Sequence, residues 1–237
     1  MSSELRRRFF ARGDVQPRGR PDGRAQLHAE CLIEGADPRI EVTARFSQAI
    51  CRQIRDADGN PVQSLIAAGR RYDAGEELEE HEVTLADLPN RTARLRTAGD
   101  TRAELRDGGA AAGSIVWSWE PLHATLEAWI DEISPGLRRV RVEIANRLEW
   151  DNEHSDRAGL RTLRGAHLLL HSPDGAFVSV AQPPARLRAQ TIECRNEGLW
   201  PVPTGEAGDR RTMLAAPVRL EDYPRLAAVD SQVTAAA

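Results

Sequence analysis

Apolar and polar residues alternate along most of this chain, and the alternation limits its fold more than any other feature of the sequence. QLHAECLI at 26–33, IEVTARF at 40–46 and VRVEI at 140–144 show the pattern. A period of two puts every second side chain on the same face of a strand, so one face is apolar and the other polar. The sequence therefore predicts a mainly β protein of antiparallel, sandwich-like modules, α+β at most.

Clusters of turn-forming residues between the strand segments predict where the chain reverses. Three reversals are predicted to be antiparallel hairpins, with turns at 34–39, 134–136 and 173–175. GEAGDR at 205–210 predicts a further reversal. The strand before it, WPVP at 200–203, contains two prolines without amide donors and is predicted to lie at a sheet edge.

Two short helices are expected in the second half of the chain. Residues 155–165, SDRAGLRTLRG, begin with Ser155 and Asp156, both of which favour the N-terminal cap of a helix. Residues 183–198, PPARLRAQTIECRNEG, place Pro184 in the first turn and Gly198 at the end. That order of proline and glycine is typical of a helix with defined ends.

Composition divides the chain into four parts. Residues 1–24 hold seven arginines and few apolar residues, and are predicted to form a disordered basic arm. Two β modules, 25–107 and 108–226, are predicted to meet at a Gly- and Ala-rich linker around 107–113, and residues 227–237 form a tail.

The charged residues exclude several classes of function. All 32 basic residues are arginine. The chain therefore has no lysine for a phosphate-binding loop or a Schiff base, and no cofactor is expected. A net charge of −4 provides no field that attracts nucleic acid, so no nucleic-acid partner is expected. No apolar run is long enough for a transmembrane helix, and no membrane insertion is expected.

The cysteines indicate a reducing compartment. Cys31, Cys51 and Cys194 are odd in number, lie far apart and form no CxxC pair. A disulfide framework is therefore not expected, and the protein is expected to be cytoplasmic.

One polar loop is a candidate metal site. WDNEHSD at 150–156 gathers Asp151, Glu153, His154 and Asp156, whose oxygen and nitrogen atoms suit a divalent metal. The same residues fit a general acid–base pair. The alternative interpretation is a polar loop that caps the following helix.

Three tryptophans are candidates for binding a partner. Trp117 and Trp119 are separated by a single serine, and Trp200 opens the proline-containing strand. Tryptophan is enriched among the residues that dominate binding energy at protein interfaces. The alternative interpretation places these side chains in the core.

Several phrases of the chain together resemble a known family. They are AECLIEG, IRDADGNPVQSL, VRVEIANRLEW, LRGAHLLLHSPDGAFVSVAQPP and CRNEGLWPVPTGEAGDRRTMLAAPVRLEDYP, spread over residues 27–224. They are similar to an uncharacterised, mainly actinobacterial protein family associated with gene clusters for uptake nickel–iron hydrogenases. The resemblance implies a link to a hydrogenase or another oxidoreductase system. It assigns no catalytic residue.

These observations favour a non-enzymatic accessory or protein-interaction protein. The chain contains no GxSxG elbow, no HExxH helix motif and no recognisable cysteine–histidine signature. A protein partner or a homo-oligomer is expected. The alternative function is a metal-dependent hydrolase or metal carrier that uses the 150–156 loop.

Overall fold

A computed structural model describes residues 11–21, 23–85, 91–96, 99–150 and 159–224 of the protein, with the backbone alone described for 91–96. The strands within these residues are β1 (Gln26–Glu34), β2 (Glu41–Asp56), β3 (Pro61–Val62), β4 (Ser64–Ala67), β5 (Arg70–Asp73), β6 (Gly75–Leu85), β7 (Arg91–Arg96), β8 (Gly99–Asp107), β9 (Ala110–Trp119), β10 (Leu122–Ser134), β11 (Leu137–Asn146), β12 (Arg164–His171), β13 (Ala176–Val178), β14 (Trp200–Pro203) and β15 (Thr212–Ala216). One short helix, α1 (Arg188–Ile192), follows a 3-10 turn at Ala185–Leu187.

The strands form two sheets that pack face to face, and a separate ribbon. The smaller sheet has five strands in the order β13-β1-β11-β10-β7. The larger sheet has eight strands: six follow the order β14-β15-β12-β2-β9-β8, while β3 and β6 also pair with β2. The ribbon consists of β4 and β5. The pairings are antiparallel, so the predicted mainly β, sandwich-like fold is confirmed.

The inward-facing residues of both sheets share one hydrophobic core. They alternate along the strands as the sequence predicts: Leu27, Ala29, Cys31 and Ile33 from β1, Val42, Ala44 and Phe46 from β2, and Val140, Val142 and Ile144 from β11. Full burial of one such aliphatic side chain contributes about 1.5–3 kcal/mol. Since every second residue faces the core, the residues between them on β1 and β11 lie on the outer face of the smaller sheet.

Two of the three predicted hairpins are wrong. β1 and β2 flank the turn at 34–39, but β1 pairs with β11 and β13 in the smaller sheet and β2 belongs to the larger sheet. β12 and β13, on either side of 173–175, also lie in different sheets. A hairpin turn and a loop that joins strands of two different sheets both connect alternating segments through turn-forming residues. The local sequence therefore does not distinguish them. The third hairpin, β10 with β11, is confirmed.

The proline-containing strand lies at an edge, as predicted. Among the described strands β14 pairs with β15 alone. The amide of Thr204 donates to the carbonyl of Thr212 at 3.1 Å. Because backbone amides point alternately to either side of a strand, Trp200 and Val202 also direct their amides to β15. The backbone nitrogens of Pro201 and Pro203 therefore face away from β15. The missing donors cost no ladder hydrogen bond, and they make this edge a poor template for another strand.

The helical segments are shorter than predicted. Of 183–198, only Ala185–Leu187 and Arg188–Ile192 are helical, and Gly198 instead pairs with His28 through an isolated parallel bridge. Of 155–165, residues 159–161 form a 3-10 turn and β12 begins at Arg164, while 155–158 lie outside the described residues. Backbone pairing with neighbouring strands overrides the weak local preference for helix.

Most of the predicted disordered arm is ordered. Residues 11–21, 23 and 24 are described, and 1–10 lie outside the described residues. Val15 is fully buried, and its amide and carbonyl both bond to Leu163 at 2.8 and 3.0 Å. The amide of Gln16 bonds to the carbonyl of Arg24 at 2.8 Å. One buried valine and these backbone bonds dock a segment that is otherwise rich in arginine.

A second, smaller core lies beyond the main one. The β4–β5 ribbon covers the distal part of β2, β8 and β9, and the buried residues there are Ile54, Ala67, Leu105 and Ile115. The predicted linker at 107–113 is the turn of the β8–β9 hairpin. Strands from both predicted modules, 25–107 and 108–226, share each of the two sheets. No helix within the described residues is long and apolar enough to cross a membrane.

Candidate functional site

The outer face of the smaller sheet carries a cleft of about 600 Å³. The segment that follows the 3-10 turn lies across part of this face, where Leu187 and Cys194 pack against Leu32. The cleft opens beside it. Its lining consists of charged side chains from three strands and from this segment, with one isoleucine: Glu30, Asp131, Arg139, Arg141, Ile192, Glu193 and Arg195. We refer to these residues as the arginine cleft.

Strand register sets the order of charges across the cleft floor. β11 runs between β1 and β10, and Arg141 lies opposite Glu30 on one side and Trp129 on the other. Arg139 lies opposite Asp131 of β10. Directly opposed residues on one sheet face have Cβ atoms about 4.5–5.5 Å apart, so these side chains are neighbours on the cleft floor.

Two of the three arginines are held by exposed carboxylates. Arg141 Nη2 lies 2.6 Å from Asp131 Oδ2, and Arg139 Nη2 donates to Glu193 Oε2 at 2.9 Å. The two acidic side chains are 54% and 66% exposed, respectively. The guanidinium of Arg141 also lies over the ring of Trp129, 5.8 Å from its centroid.

One guanidinium of the cleft is available to a ligand. Arg195 is exposed, and its guanidinium forms no ion pair with the described part of the chain. The Nε atoms of Arg139 and Arg141 also have no hydrogen-bond partner among the described residues, but they are buried, so a ligand in the cleft reaches them only if these side chains move. An additional acceptor in the cleft would therefore bind to Arg195 first.

A buried carboxylate fixes the wall of the cleft. Glu30 is 6% exposed, and its Oε2 accepts a hydrogen bond from the amide of Arg195 at 2.9 Å. Its Oε1 lies 3.2 Å from Nε2 of His28. The amide of Glu30 donates to Oδ1 of Asn196 at 2.9 Å, and His28 and Glu197 exchange backbone hydrogen bonds of 2.8 and 2.9 Å. These hydrogen bonds hold residues 195–197 against β1.

The cysteines near the cleft are not activated. All three cysteines are free. Burial raises the pKa of the Cys194 thiol to about 11, although Arg139 opposes the shift. Burial also raises the pKa of Cys31, which lies in the main core. Both thiols are therefore protonated at neutral pH, and neither is a ready nucleophile.

The predicted partner-binding tryptophans do not line the arginine cleft. Trp117 is half-buried and its Nε1 donates to Glu77 Oε2 at 3.2 Å. Trp119 is half-buried and packs on Gly99, where a Cβ atom would lie 2.8 Å from the indole ring. Trp200 lines a different cleft, described below.

The predicted metal ligands lie outside the described residues. Asp151, Glu153, His154 and Asp156 all fall within 151–158, so the metal prediction stays a prediction. Across the rest of the chain as described, no group of three or more His, Cys, Asp or Glu side chains could hold a metal ion.

Sequence reasoning did not find the arginine cleft. Alternation along VRVEI shows that Arg141 faces away from the core, but an outward-facing arginine is ordinary. Arg141 differs from other outward-facing arginines in the charged side chains that surround it. Asp131 comes from the other strand of the same hairpin, whereas Glu30 and Glu193 come from distant parts of the sequence. Only strand register and the docking of 193–197 bring all of them together.

Comparison with known proteins does not assign the chain to a family. The chain matches no protein-family model and no curated protein sequence. The resemblance to the hydrogenase-associated family therefore stays a prediction, and the function is argued from the site.

Proposed function

We propose that this protein is a non-enzymatic interaction protein whose arginine cleft binds an acidic segment of a protein partner. The observation that carries the proposal is the convergence of Arg139, Arg141 and Arg195 in one cleft, where Arg195 is exposed and forms no ion pair with the described residues. Arginine recognises carboxylates through paired N–H donors and is enriched at interface hot spots.

The existing ion pairs do not block such a partner. The carboxylates of Asp131 and Glu193 are more than half exposed, and exposed ion pairs contribute little to stability because water and salt screen them. Carboxylates of a partner would bind in a cleft that the interface shields from water, where charge-assisted hydrogen bonds are stronger.

The rim of the cleft supplies an apolar contact. Ile192 is 77% exposed although it is a large aliphatic residue. An interface that combines an apolar anchor with arginines is typical of specific protein–protein contacts. We therefore expect the partner segment to alternate acidic residues with at least one apolar residue.

The partner class follows from the resemblance. We propose that the partner belongs to a hydrogenase or another oxidoreductase system, and that the protein acts there as an accessory factor. A cytoplasmic location fits this role, since the three free cysteines suit a reducing compartment. A second copy of this chain is the alternative occupant of the cleft.

The metal-dependent alternative has its own test. If Asp151, Glu153, His154 and Asp156 hold a metal, the purified protein retains a stoichiometric divalent ion through dialysis and loses it in His154→Ala. Metal content measured by mass spectrometry decides this independently of the cleft.

The interaction proposal is tested by photo-crosslinking in the native host. Amine-reactive reagents find no lysine in this chain, so a photoreactive amino acid is placed at Ile192 in the rim and, as a control, at Ile66. Ile66 is also exposed, at 67%, but lies on the β4–β5 ribbon. We expect one heteromeric product from position 192 that is absent from position 66.

The arginines decide whether that product reflects the cleft. Arg195→Glu combined with Arg139→Glu should abolish the crosslink from position 192, because two of the three positive charges that attract acidic residues are reversed. Arg106→Glu, on the exposed edge strand β8, is the matched control and should leave the yield unchanged. A crosslink that survives the double reversal contradicts the proposal, and a product between two copies of this chain identifies a homo-oligomer instead.

A further inference from the structure

A second cleft, of about 480 Å³, lies between the N-terminal segment and the edge strand β14. Its lining includes Arg12, Asp14, Gln16, Arg24, Trp200 and Pro217. We propose that this Trp200 cleft binds a small anion that carries a planar ring, the class represented by a purine mononucleotide. The volume lies within the range of small-molecule sites. The site is separate from the arginine cleft and does not depend on the function proposed for it.

Unpaired guanidinium groups supply the anion-binding part. Arg12 and Arg24 are exposed, and neither forms an ion pair with the described residues. Among the described residues of the lining, one carboxylate is present, on Asp14, and it accepts a hydrogen bond at 3.2 Å from the amide of Gly165. Two arginines and one carboxylate among these residues favour an anionic ligand, and phosphate matches the paired donors of arginine.

Trp200 supplies the surface for a planar ring. The indole is half-buried on β14, with Pro217 beside it in the lining. The guanidinium of Arg219 lies over one face of the ring, 5.7 Å from its centroid, which leaves the other face for a ligand. Indole faces stack with heterocyclic bases irrespective of their sequence or substituents.

An unused acceptor adds a polar contact. Oε1 of Gln16 is buried beside the cleft and has no hydrogen-bond partner in the described structure. The exocyclic amine of a purine is a donor that would satisfy this oxygen after a small rotation of the side chain. Gln16 thus extends the match from a bare anion to a ring that carries N–H groups.

Gly198 lies against the guanidinium of Arg24. It has a φ of +78°, a backbone conformation that glycine adopts without strain. A Cβ atom there would lie 2.3 Å from Nη1 of Arg24 and 2.5 Å from Leu27, so a side chain at 198 would displace the guanidinium from its present position.

The experiment compares three probes by isothermal titration calorimetry at low ionic strength: AMP, adenosine and inorganic phosphate. We expect AMP to bind more tightly than either adenosine or phosphate, because it alone presents both the ring and the anion. Arg12→Gln and Arg24→Gln should each weaken AMP binding at least 5-fold. Arg106→Gln, an exposed arginine on β8 paired with Glu104, should leave it unchanged.

Tryptophan substitution separates the ring from the anion. Trp200→Leu should weaken AMP binding and leave phosphate binding unaltered. If Trp200→Leu fails to fold, as judged by circular dichroism, the exposed arginine variants carry the test. The proposal is overturned if AMP does not bind at millimolar concentration, if phosphate binds as tightly as AMP, or if the Arg12→Gln/Arg24→Gln double variant retains wild-type affinity.

Discussion

Glu30→Gln tests whether a single buried carboxylate holds the wall of the arginine cleft. The carboxylate accepts from the amide of Arg195 and lies within hydrogen-bond distance of His28. Glutamine has nearly the same shape, and its carbonyl oxygen can still accept from the amide of Arg195 while its NH₂ group faces Nε2 of His28. Both contacts then lose the negative charge, and the contact with His28 persists only in the tautomer in which Nε2 is an acceptor.

The expected loss follows from the removed charge. A hydrogen bond to a charged group contributes about 1.5–3 kcal/mol and a neutral one about 0.5–1.5 kcal/mol. Because two contacts are affected, we expect a loss of about 1–3 kcal/mol in the free energy of unfolding. For a chain of this size the loss lowers Tm by roughly 2–12 °C. Thermal and urea unfolding followed by circular dichroism measure both quantities.

Hydrogen exchange tells a local effect from a global one. In Glu30→Gln the amide of Arg195 should exchange faster, whereas that of Glu197 should remain protected because it bonds to the backbone of His28 at 2.9 Å. Glu132→Gln, an exposed residue on β10, is the matched control and should leave Tm unchanged. A Tm for Glu30→Gln within 1 °C of the wild type would refute the assigned role of the carboxylate.

Three further outcomes follow from buried polar groups. Burial raises the pKa of Asp14 in the folded state above the ordinary value of 3.8. Between 3.8 and the raised pKa the folded state keeps a proton that the unfolded state has lost, so the free energy of unfolding falls as pH rises through this range. Asp14→Asn should therefore raise Tm at pH 7 and leave it unchanged at pH 3, as measured by thermal unfolding. Cys194, with a pKa of about 11 in the folded protein, should react with iodoacetamide at pH 8 roughly 100-fold more slowly than in the urea-unfolded protein, because its thiolate fraction is about 100-fold smaller. Peptide mass spectrometry measures the two rates, and equal rates would contradict the burial of the thiol. Gln48, fully buried, donates to the carbonyls of Glu120 and Leu160 at 2.8 and 2.9 Å, so Gln48→Leu should lower the free energy of unfolding in urea by about 1–3 kcal/mol, and an unchanged value would show that the bonds contribute nothing net.

Local chemistry explains which parts of the fold the sequence predicts correctly. The alternation in β1, β2 and β11 identifies them as strands because a residue's face depends only on its own position in the pleat. Pro201 and Pro203 indicate an edge strand because each removes a donor that a central strand needs. The turn at 134–136 joins two strands that do pair, as the sequence predicts.

Sheet partners were decided by packing over the whole molecule. The loops at 34–39 and 173–175 have the composition of hairpin turns, yet each carries the chain from one sheet to the other. Either connection buries the same apolar face, so the sequence pattern does not distinguish them. The basic segment before Gln26 docks with Val15 fully buried and with Gly13 and Pro17 also buried, and composition alone does not reveal this burial.

The sequence by itself determined the class of fold, the faces of the strands and the chemistries excluded by the absence of lysine. Tertiary structure alone decided the two clefts. Glu30, Arg141 and Glu193 are separated by more than 50 residues at each step, and antiparallel register and the docking of one segment place them together. The reason is physical: the period of a strand sets which side chains point outward, whereas long-range hydrogen-bonded pairing sets which of them meet.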